Sequence, residues 1–500
     1  MKRHCTLIFP ESIFRKLMGH LFPGDYGEHG AVIAAGLVSH GDEHRLLARE
    51  LFIAREGIDY VAGTRGHRAL TAQFIHRCIT YCRDNRLVYL AVHNHGGFDS
   101  VGFSRVDISS HERGYPALLD IARGMPVGAL VFAENAVEGD IWFPGGRRSA
   151  LRRSTVLGWH RRHLFHAPQP GGGVSNEGFY HRQVLLFGRV GQAELARTKV
   201  GVLGLGGVGS LVSEYLARLG VGHLVLVDPD RISDSNFSRI VGSTTEDLAQ
   251  TTLKVDIAAR VAREASPSVK LDLVPDDISK SSIASRLTDC DYLILAADSM
   301  RARLVFNALA HQYFIPGVQL GAKVNHDQGS GQVLAAFSVL RRILPGEGCL
   351  WCNHLVDATA IAKEWKSEEE REDQNYGVTS PNPSVITMNG IAAAHAVNDF
   401  MFTFLGLRGS CAEHLLYERF DHLRNRHEYV QPRRDSDCLE CSATKGSRFG
   451  MGDSARLPCS PDGKSSDEAP LQPRSSTRAR MPTLLRKVRS WISNRFKPGF

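Results

Sequence analysis

The 500-residue chain contains no run approaching the ~20 apolar residues that a membrane-spanning helix needs. Near its start the apolar run is only Leu7-Ile8-Phe9 before Pro10, too short for a secretory signal, so the chain is expected to be cytoplasmic. Cysteine is sparse, with ten in the whole chain. In a reducing compartment that usage favours free thiols or metal ligands over disulfides. No internal repeat is found, which excludes a repeat array. Hydrophobic residues make up 43% and charged residues 23%, the composition of a core-forming protein rather than a disordered one. The length exceeds that of one ordinary domain. A net charge of +7 hints at nucleic acid until it is located: residues 443–500 hold twelve Lys or Arg and four Asp or Glu. The first 442 residues carry about −1, so the basic character belongs to a tail.

The fold class is α/β, in two successive units. Residues 1–165 mix helical segments with strand-like runs, AVIAAGLV, LVYLAVHNH and ALVFAENAVEGDIWFP. Residues 166–178, HAPQPGGGVSNEG, read as a linker. Residues 179–442 alternate strand and helix from KVGVLGLGGVGSLVSEYLARLG through HLVLVDPD to DYLILAADS, which predicts a doubly wound, Rossmann-like parallel sheet. Residues 443–500 are rich in Ser, Pro, Gly and Arg and are expected to be mostly disordered. Near the end Leu485, Val488, Ile492 and Phe496 fall on one face of an amphipathic helix. Such a helix could contact a membrane surface or nucleic acid.

Gly204, Gly206, Gly207 and Gly209 follow a strand and open a helix. Glycines there allow a tight turn and seat a phosphate on the helix N-terminus. Asp228 ends the next strand, nineteen residues after Gly209, where a carboxylate can bind ribose hydroxyls. Alone this suits a dinucleotide. Asn236 and Arg239 beyond that strand, Lys254 on a helix, and Asp298 at another strand end with Arg303 five residues on shift the reading. Cations and a carboxylate around a phosphate cradle suit ATP with magnesium better than nicotinamide.

These residues resemble the ThiF/MoeB family, ATP-dependent adenylating enzymes related to ubiquitin-activating enzymes. The resemblance covers roughly 179–442 and rests on Tyr180-His-Arg182-Gln183, GLGGVG, Asp228 with Ser235-Asn236-x-x-Arg239, Lys254, Asp298 with Arg303, and PNPSVITMNGIAAAHAV. It implies that Asp228 holds the ribose, that Asn236, Arg239 and Lys254 hold phosphates, and that Asp298 holds magnesium. It further implies a homodimer in which Arg182 reaches the partner subunit's triphosphate. Cys349-Leu-Trp-Cys352 and Cys438-Leu-Glu-Cys441 form two CxxC pairs, enough for a closed four-thiolate zinc site of structural character. Thioester-carrying relatives place a cysteine between the zinc knuckle and the PNPSV-like stretch. Residues 353–410 hold none, and Cys411 lies outside that segment, so adenylation is expected without a thioester on this chain.

In the first unit, His93-x-His95 is followed by Ser104-x-x-Asp107. Two histidines and a carboxylate supply three zinc ligands and leave a position for water. Ser104 can help hold an oxyanion. A carboxylate must shuttle the proton; Glu28 is the first candidate, ahead of Glu50 and Glu56. This arrangement resembles the JAMM (JAB/MPN) metalloproteases, which cleave bonds after ubiquitin-like proteins. It implies His93, His95 and Asp107 as ligands of a catalytic zinc, with Ser104 and Glu28 in the catalytic roles. The proline usual after HxH is Gly96 here, and the loop to Ser104 is about one residue longer.

The expected function is ATP-dependent adenylation of the C-terminal Gly of a ubiquitin-like β-grasp protein, joined to zinc-dependent (iso)peptidase processing or removal of it. A conjugating enzyme is an expected further partner. The alternatives are activation of a sulfur-carrier protein for thiocarboxylate formation and a non-enzymatic scaffold.

Overall fold

A computed structural model describes residues 4–25, 27–41, 43–61, 68–159, 161–169, 177–327, 329–365, 383–408 and 417–460. The terminal amphipathic helix, Cys411 and linker residues 170–176 lie outside the described residues.

Two eight-stranded sheets organise the chain. The first holds β1 (His4–Pro10), β2 (Gly30–His40), β3 (Glu43–Ile53), β4 (Val88–Asn94), β5 (Val127–Phe132), β6 (Val137–Phe143), β7 (Arg147–Leu157) and β8 (Arg162–Leu164). Its order is β1-β3-β2-β4-β5-β6-β7-β8, and β1 also pairs with β7, which closes the sheet on itself. Alternate residues feed two cores, as the pleat requires. Ile33, Leu46, Leu90 and Leu130 point inward. Val32, Ala34, Tyr89 and Ala129 point outward, beneath Phe74 and Cys78 of the helix Ala72–Asp84. The run Ala129–Pro144, read above as one strand-like stretch, is a hairpin: β5 and β6 are antiparallel across a turn at 133–136.

The second sheet holds β9 (Lys199–Leu203), β10 (His223–Val227), β11 (Lys270–Val274), β12 (Tyr292–Leu295), β13 (Gly317–His326), β14 (Val333–Ile343), β15 (Tyr417–Asp421) and β16 (Arg426–Val430). Its order is β11-β10-β9-β12-β13-β14-β15-β16. The five strands from β11 to β13 are parallel, and the remainder are antiparallel. The order reverses between β9 and β12. A doubly wound sheet binds ligands at that switch point, outside the carboxyl ends of its strands.

The two sheets share a core. Val38, Leu47 and Leu157 of the first pack with Leu203, Phe306, Phe314 and Phe449 of the second half. Residues 443–460, expected to begin the disordered tail, are instead packed chain between the halves. Gly450 N–H donates to His311 O at 2.8 Å, Asp453 N–H to Leu37 O at 2.9 Å, and Gln312 Nε2 to Gly452 O at 2.9 Å. The physical reason is close approach: a Cβ on Gly36 would lie 2.0 Å from Gly450 O. Buried Arg49 of β3 fastens this strap, donating to Thr444 O and Ser447 Oγ, both at 3.0 Å, and to Phe449 O. Arg49→Ala strands these acceptors, so a loss of ~3 kcal/mol is expected, since hydrogen bonds to charged groups are worth about 1.5–3 kcal/mol each. A lowered denaturation midpoint with faster amide exchange at Gly450 and Gly452 is the expected observation; unchanged values would show that Arg49 does not hold the strap.

Candidate functional site

The histidine pair stands at the end of β4. His93 Nε2 lies 3.2 Å from His95 Nε2. Asp107 Oδ1 lies 3.6 Å from His93 Nε2, and Asp107 Oδ2 lies 3.5 Å from His95 Nε2. Three corners of a tetrahedron with ~2.05 Å metal–ligand bonds would be ~3.3 Å apart, so the donor set fits a zinc ion. His95 Nδ1 is 3.1 Å from Gly102 O. A carbonyl only accepts, so the proton sits on Nδ1 and leaves the Nε2 lone pair for a metal. Ser104-x-x-Asp107 is also a capping box for the helix Arg105–Ala122: Asp107 N–H donates to Ser104 Oγ at 3.2 Å, and Ser104 N–H to Asp107 Oδ2 at 2.8 Å. The Ser104 hydroxyl thus accepts through oxygen and keeps its own proton to donate. Burial pushes the Asp107 carboxyl up, but the neighbouring His93 and the hydrogen bonding of Ser104 outweigh it and hold the carboxyl well below the usual range. Of the three candidate bases, Glu28 alone faces the cluster, with Oε1 3.9 Å from His95 Nε2. Glu50 accepts from Tyr81 Oη, and Glu56 pairs with Arg68.

The glycine loop lies at the switch point, between β9 and the helix Gly207–Arg218. Gly204 has φ +92°, and a Cβ there would sit 2.7 Å from Ala297 N. A Cβ on Gly209 would sit 1.8 Å from Gly204 O, whereas Gly206 has nothing within 4 Å. Two of the glycines are therefore required by packing, whereas Gly206 borders open space. Asp228, at the end of β10, accepts from Leu205 N at 2.6 Å and from Asp230 N at 2.9 Å. Its burial raises the carboxyl above its ordinary value. Lys254 Nζ lies 3.8 Å from Asp228 and 2.6 Å from Asp230. Asp298 stands exposed beyond β12. Arg239 packs its stem on Gly207, and its guanidinium donates to Ser235 O. Asn236 caps its own short helix with Ser233, and Arg303 turns towards Leu355 O at 3.3 Å. The crevice thus gathers the glycines, Asp228, Lys254, Arg239 and Asp298, while Asn236 and Arg303 are engaged locally.

The two cysteine pairs meet although 89 residues separate them. Cys349 Sγ is 3.6 Å from Cys352 Sγ and 3.7 Å from Cys438 Sγ, and Cys352 Sγ is 3.6 Å from Cys441 Sγ. Sulfurs on a tetrahedron with ~2.3 Å bonds would be ~3.8 Å apart, so the set fits zinc. Asn307 joins the knuckles: its Oδ1 accepts from Leu350 N at 2.9 Å, and its Nδ2 donates to Glu440 Oε2 at 3.2 Å.

The ThiF family profile matches residues 180–440. The chain belongs to the ThiF family. It is 32% identical over 139 residues to the SAMP-activating enzyme E1 of Haloferax volcanii, covering 27% of this chain and 51% of that protein. It is 31% identical over 131 residues to the sulfur carrier protein ThiS adenylyltransferase of Escherichia coli, covering 26% and 51% respectively. The chain spans about half the length of these curated relatives. A structure of E. coli MccB with succinimide superposes with a TM-score of 0.43 and 19% identity, over 54% of this chain and 77% of that one.

Within the ThiF region, the helix Glu177–Arg197 kinks at Gly188, and Arg182 on it is exposed. The neighbouring Gln183 Nε2 donates to Leu219 O at 3.1 Å, just past the C-terminal end of Gly207–Arg218. The glycine cradle lies at the other end of that helix, ~18 Å away at 1.5 Å per residue. Arg182 is thus not brought to the cradle of its own chain. Phe179, Leu185, Leu186 and Val190 on the same helix are all more than half exposed. Two further side chains stand by these residues, one within a quoted motif and one outside any. Asn389, within PNPSVITMNG, would sit 2.3 Å from a Cβ on Gly207. Glu364 accepts from Met300 N at 2.8 Å and Arg301 N at 3.0 Å, beside Asp298. Spacing gives no signal for Glu364, because its partners are free amides of a distant helix.

Proposed function

We propose that this ThiF-family chain adenylates the terminal carboxylate of a small β-grasp protein and carries a JAMM-type (iso)peptidase that acts on the same carrier. The observation that carries the first half is the clustering of the glycine loop, Asp228, Lys254, Arg239 and Asp298 at one switch point. In this reading Gly206 leaves room for phosphate, Asp228 receives the ribose, and Arg239 and Lys254 offset phosphate charge. Asn236 joins the phosphate contacts, and Asp298 holds magnesium with Arg303 behind it. A carboxylate oxygen of the carrier attacks the α-phosphorus of ATP; the bond to the β-phosphate oxygen breaks, yielding an acyl-adenylate and pyrophosphate. The exposed apolar face around Phe179 and Leu185 supports a homodimer, which would bring Arg182 to the partner's site. The relatives' names, a SAMP-activating enzyme and a ThiS adenylyltransferase, support a small carrier protein as substrate. Sulfur transfer is the second reading, favoured by the absence of cysteine from 353–410.

The geometry around His93, His95 and Asp107 supports the protease half. Zinc held there would supply Lewis-acid activation of water at neutral pH. Glu28 takes the proton from the attacking water and returns it to the leaving amine. The Ser104 hydroxyl donates to the developing oxyanion. The four cysteines hold a structural zinc.

The test is ATP–pyrophosphate exchange with a β-grasp protein ending in Gly, in wild type and Asp298→Ala. Carrier-dependent exchange that falls at least ~100-fold in the variant is expected, the scale of losing a charge-stabilising group. Undiminished exchange in Asp298→Ala would defeat the assignment of Asp298, and no exchange with any such carrier would defeat the function.

A further inference from the structure

The residue between the two histidine ligands has no role in the reading above, yet it reaches the base. Successive side chains on a strand point to opposite faces, so Asn94 turns away from the side shared by His93 and His95. There it meets the segment that enters β2, the antiparallel neighbour of β4, where Gly30 lies opposite His93. Asn94 is 7% exposed. Its Oδ1 accepts from His29 N–H at 2.6 Å, and its Nδ2 donates to Gly27 O at 3.3 Å. These are the backbone groups on either side of Glu28. A single amide thus bonds both neighbours of the residue whose carboxylate faces His95.

We infer that Asn94 is the positioning residue for Glu28, setting the backbone that aims its carboxylate at the metal cluster. The inference rests on the protease reading above. The chemistry selects asparagine: one side chain must accept from one amide and donate to one carbonyl. Aspartate keeps only the acceptor, and alanine keeps neither. Both bonds bear on Glu28 from outside the His93, His95 and Asp107 group, since the Asn94 amide is engaged by His29 N–H and Gly27 O. The other end of the segment is held separately, by Gly30 N–H donating to Tyr60 Oη at 2.8 Å. Loss of Asn94 should therefore loosen residues 27–29 without unpairing β2.

The test uses the full zinc-loaded chain as wild type, Asn94→Ala, Asn94→Asp and Glu28→Gln. Amide exchange is read at residues 27–30, together with zinc content and cleavage of a reporter fused after the Gly-Gly end of a β-grasp protein. In Asn94→Ala the His29 amide should exchange ~10-fold faster and kcat fall ~10-fold, each the loss of about one hydrogen bond. Zinc content and KM should stay at wild-type values. Asn94→Asp, which retains the acceptor, should keep His29 protected. An unchanged His29 exchange rate in Asn94→Ala overturns the clamp; so does wild-type cleavage by Asn94→Ala while Glu28→Gln is inactive. Cleavage by Glu28→Gln at the wild-type rate defeats the protease reading instead. Exchange needs no substrate, so it judges the clamp even where the reporter is not cleaved.

Discussion

Cys441→Ser is expected to lose one zinc equivalent and to release the packing between the two halves of the chain. Structural zinc sites contribute apparent binding free energies of ~10–16 kcal/mol at neutral pH, more than the whole stability of most domains. Here the effect spreads because the knuckle is continuous with the strap. Glu440, next to Cys441, receives Arg448 Nε at 2.7 Å, and Arg448 also reaches Gln312 Oε1 at 3.2 Å. Gln312 in turn donates to Gly452 and Ala455 carbonyls. At Gly452 and Asp453 the strap contacts Leu37 of β2, whose opposite end meets His93. The variant should therefore show fast exchange at Gly450 and Gly452 and a large fall in unfolding temperature. Metal analysis together with exchange checks both statements. Wild-type zinc content in Cys441→Ser would exclude the cysteine as a ligand, and an undisturbed strap would show that the two features are independent.

Gly209→Ala should abolish nucleotide binding, whereas Gly206→Ala should fold as the wild type does and weaken binding alone. The methyl group on residue 209 would stand 1.8 Å from Gly204 O and 2.8 Å from Gly204 C. Those are backbone atoms of the same loop, so relief requires the cradle itself to move. Gly204 has little freedom to yield, because its own Cβ position abuts Ala297 N at 2.7 Å. A methyl group on residue 206 meets nothing in the protein and intrudes only on a ligand. ATP affinity by calorimetry, with the unfolding temperature alongside, separates the cases. Expected are a loss of at least ~100-fold with lowered stability at 209, and a smaller loss at unchanged stability at 206, overpacking costing about 1–3 kcal/mol. Wild-type affinity in Gly209→Ala would remove the cradle from this loop.

The parts of the site readable in advance are those where chemistry and local backbone coincide. GLGGVG combines a strand end, a turn and a helix start within one short segment, and Asp228 and Asp298 also follow strand ends. In a doubly wound sheet, strand ends around the switch point converge, so local reading sufficed to assemble them. The same holds for His93, His95, Ser104 and Asp107, where a strand end and a capping box place all four within fifteen residues. Glu28 is different in kind. Its place just before β2 ranked it ahead of Glu50 and Glu56, but only the pairing of Gly30 with His93 shows why it faces the cluster. Asn94 was invisible for a related reason, because its partners are backbone groups, which leave no mark in composition.

Sequence alone determined the α/β class, the membership of each half in a strand-and-helix alternation, and the ligand types, because these depend on short-range periodicity and side-chain chemistry. It also separated a near-neutral body from a basic end. The tertiary structure decided which side chains meet across long intervals: the cysteine pairs 89 residues apart, β1 closing against both β3 and β7, and the shared core. It also decided that residues 443–460, Ser- and Gly-rich and polar by composition, are held in place. Glycines make that packing possible, since Gly36 of β2 and Gly452 let backbones approach where a Cβ would clash, and Gly450 leaves room for the Phe314 ring. Composition registers such glycines as flexible, and only the neighbouring chain shows that they are there for close contact.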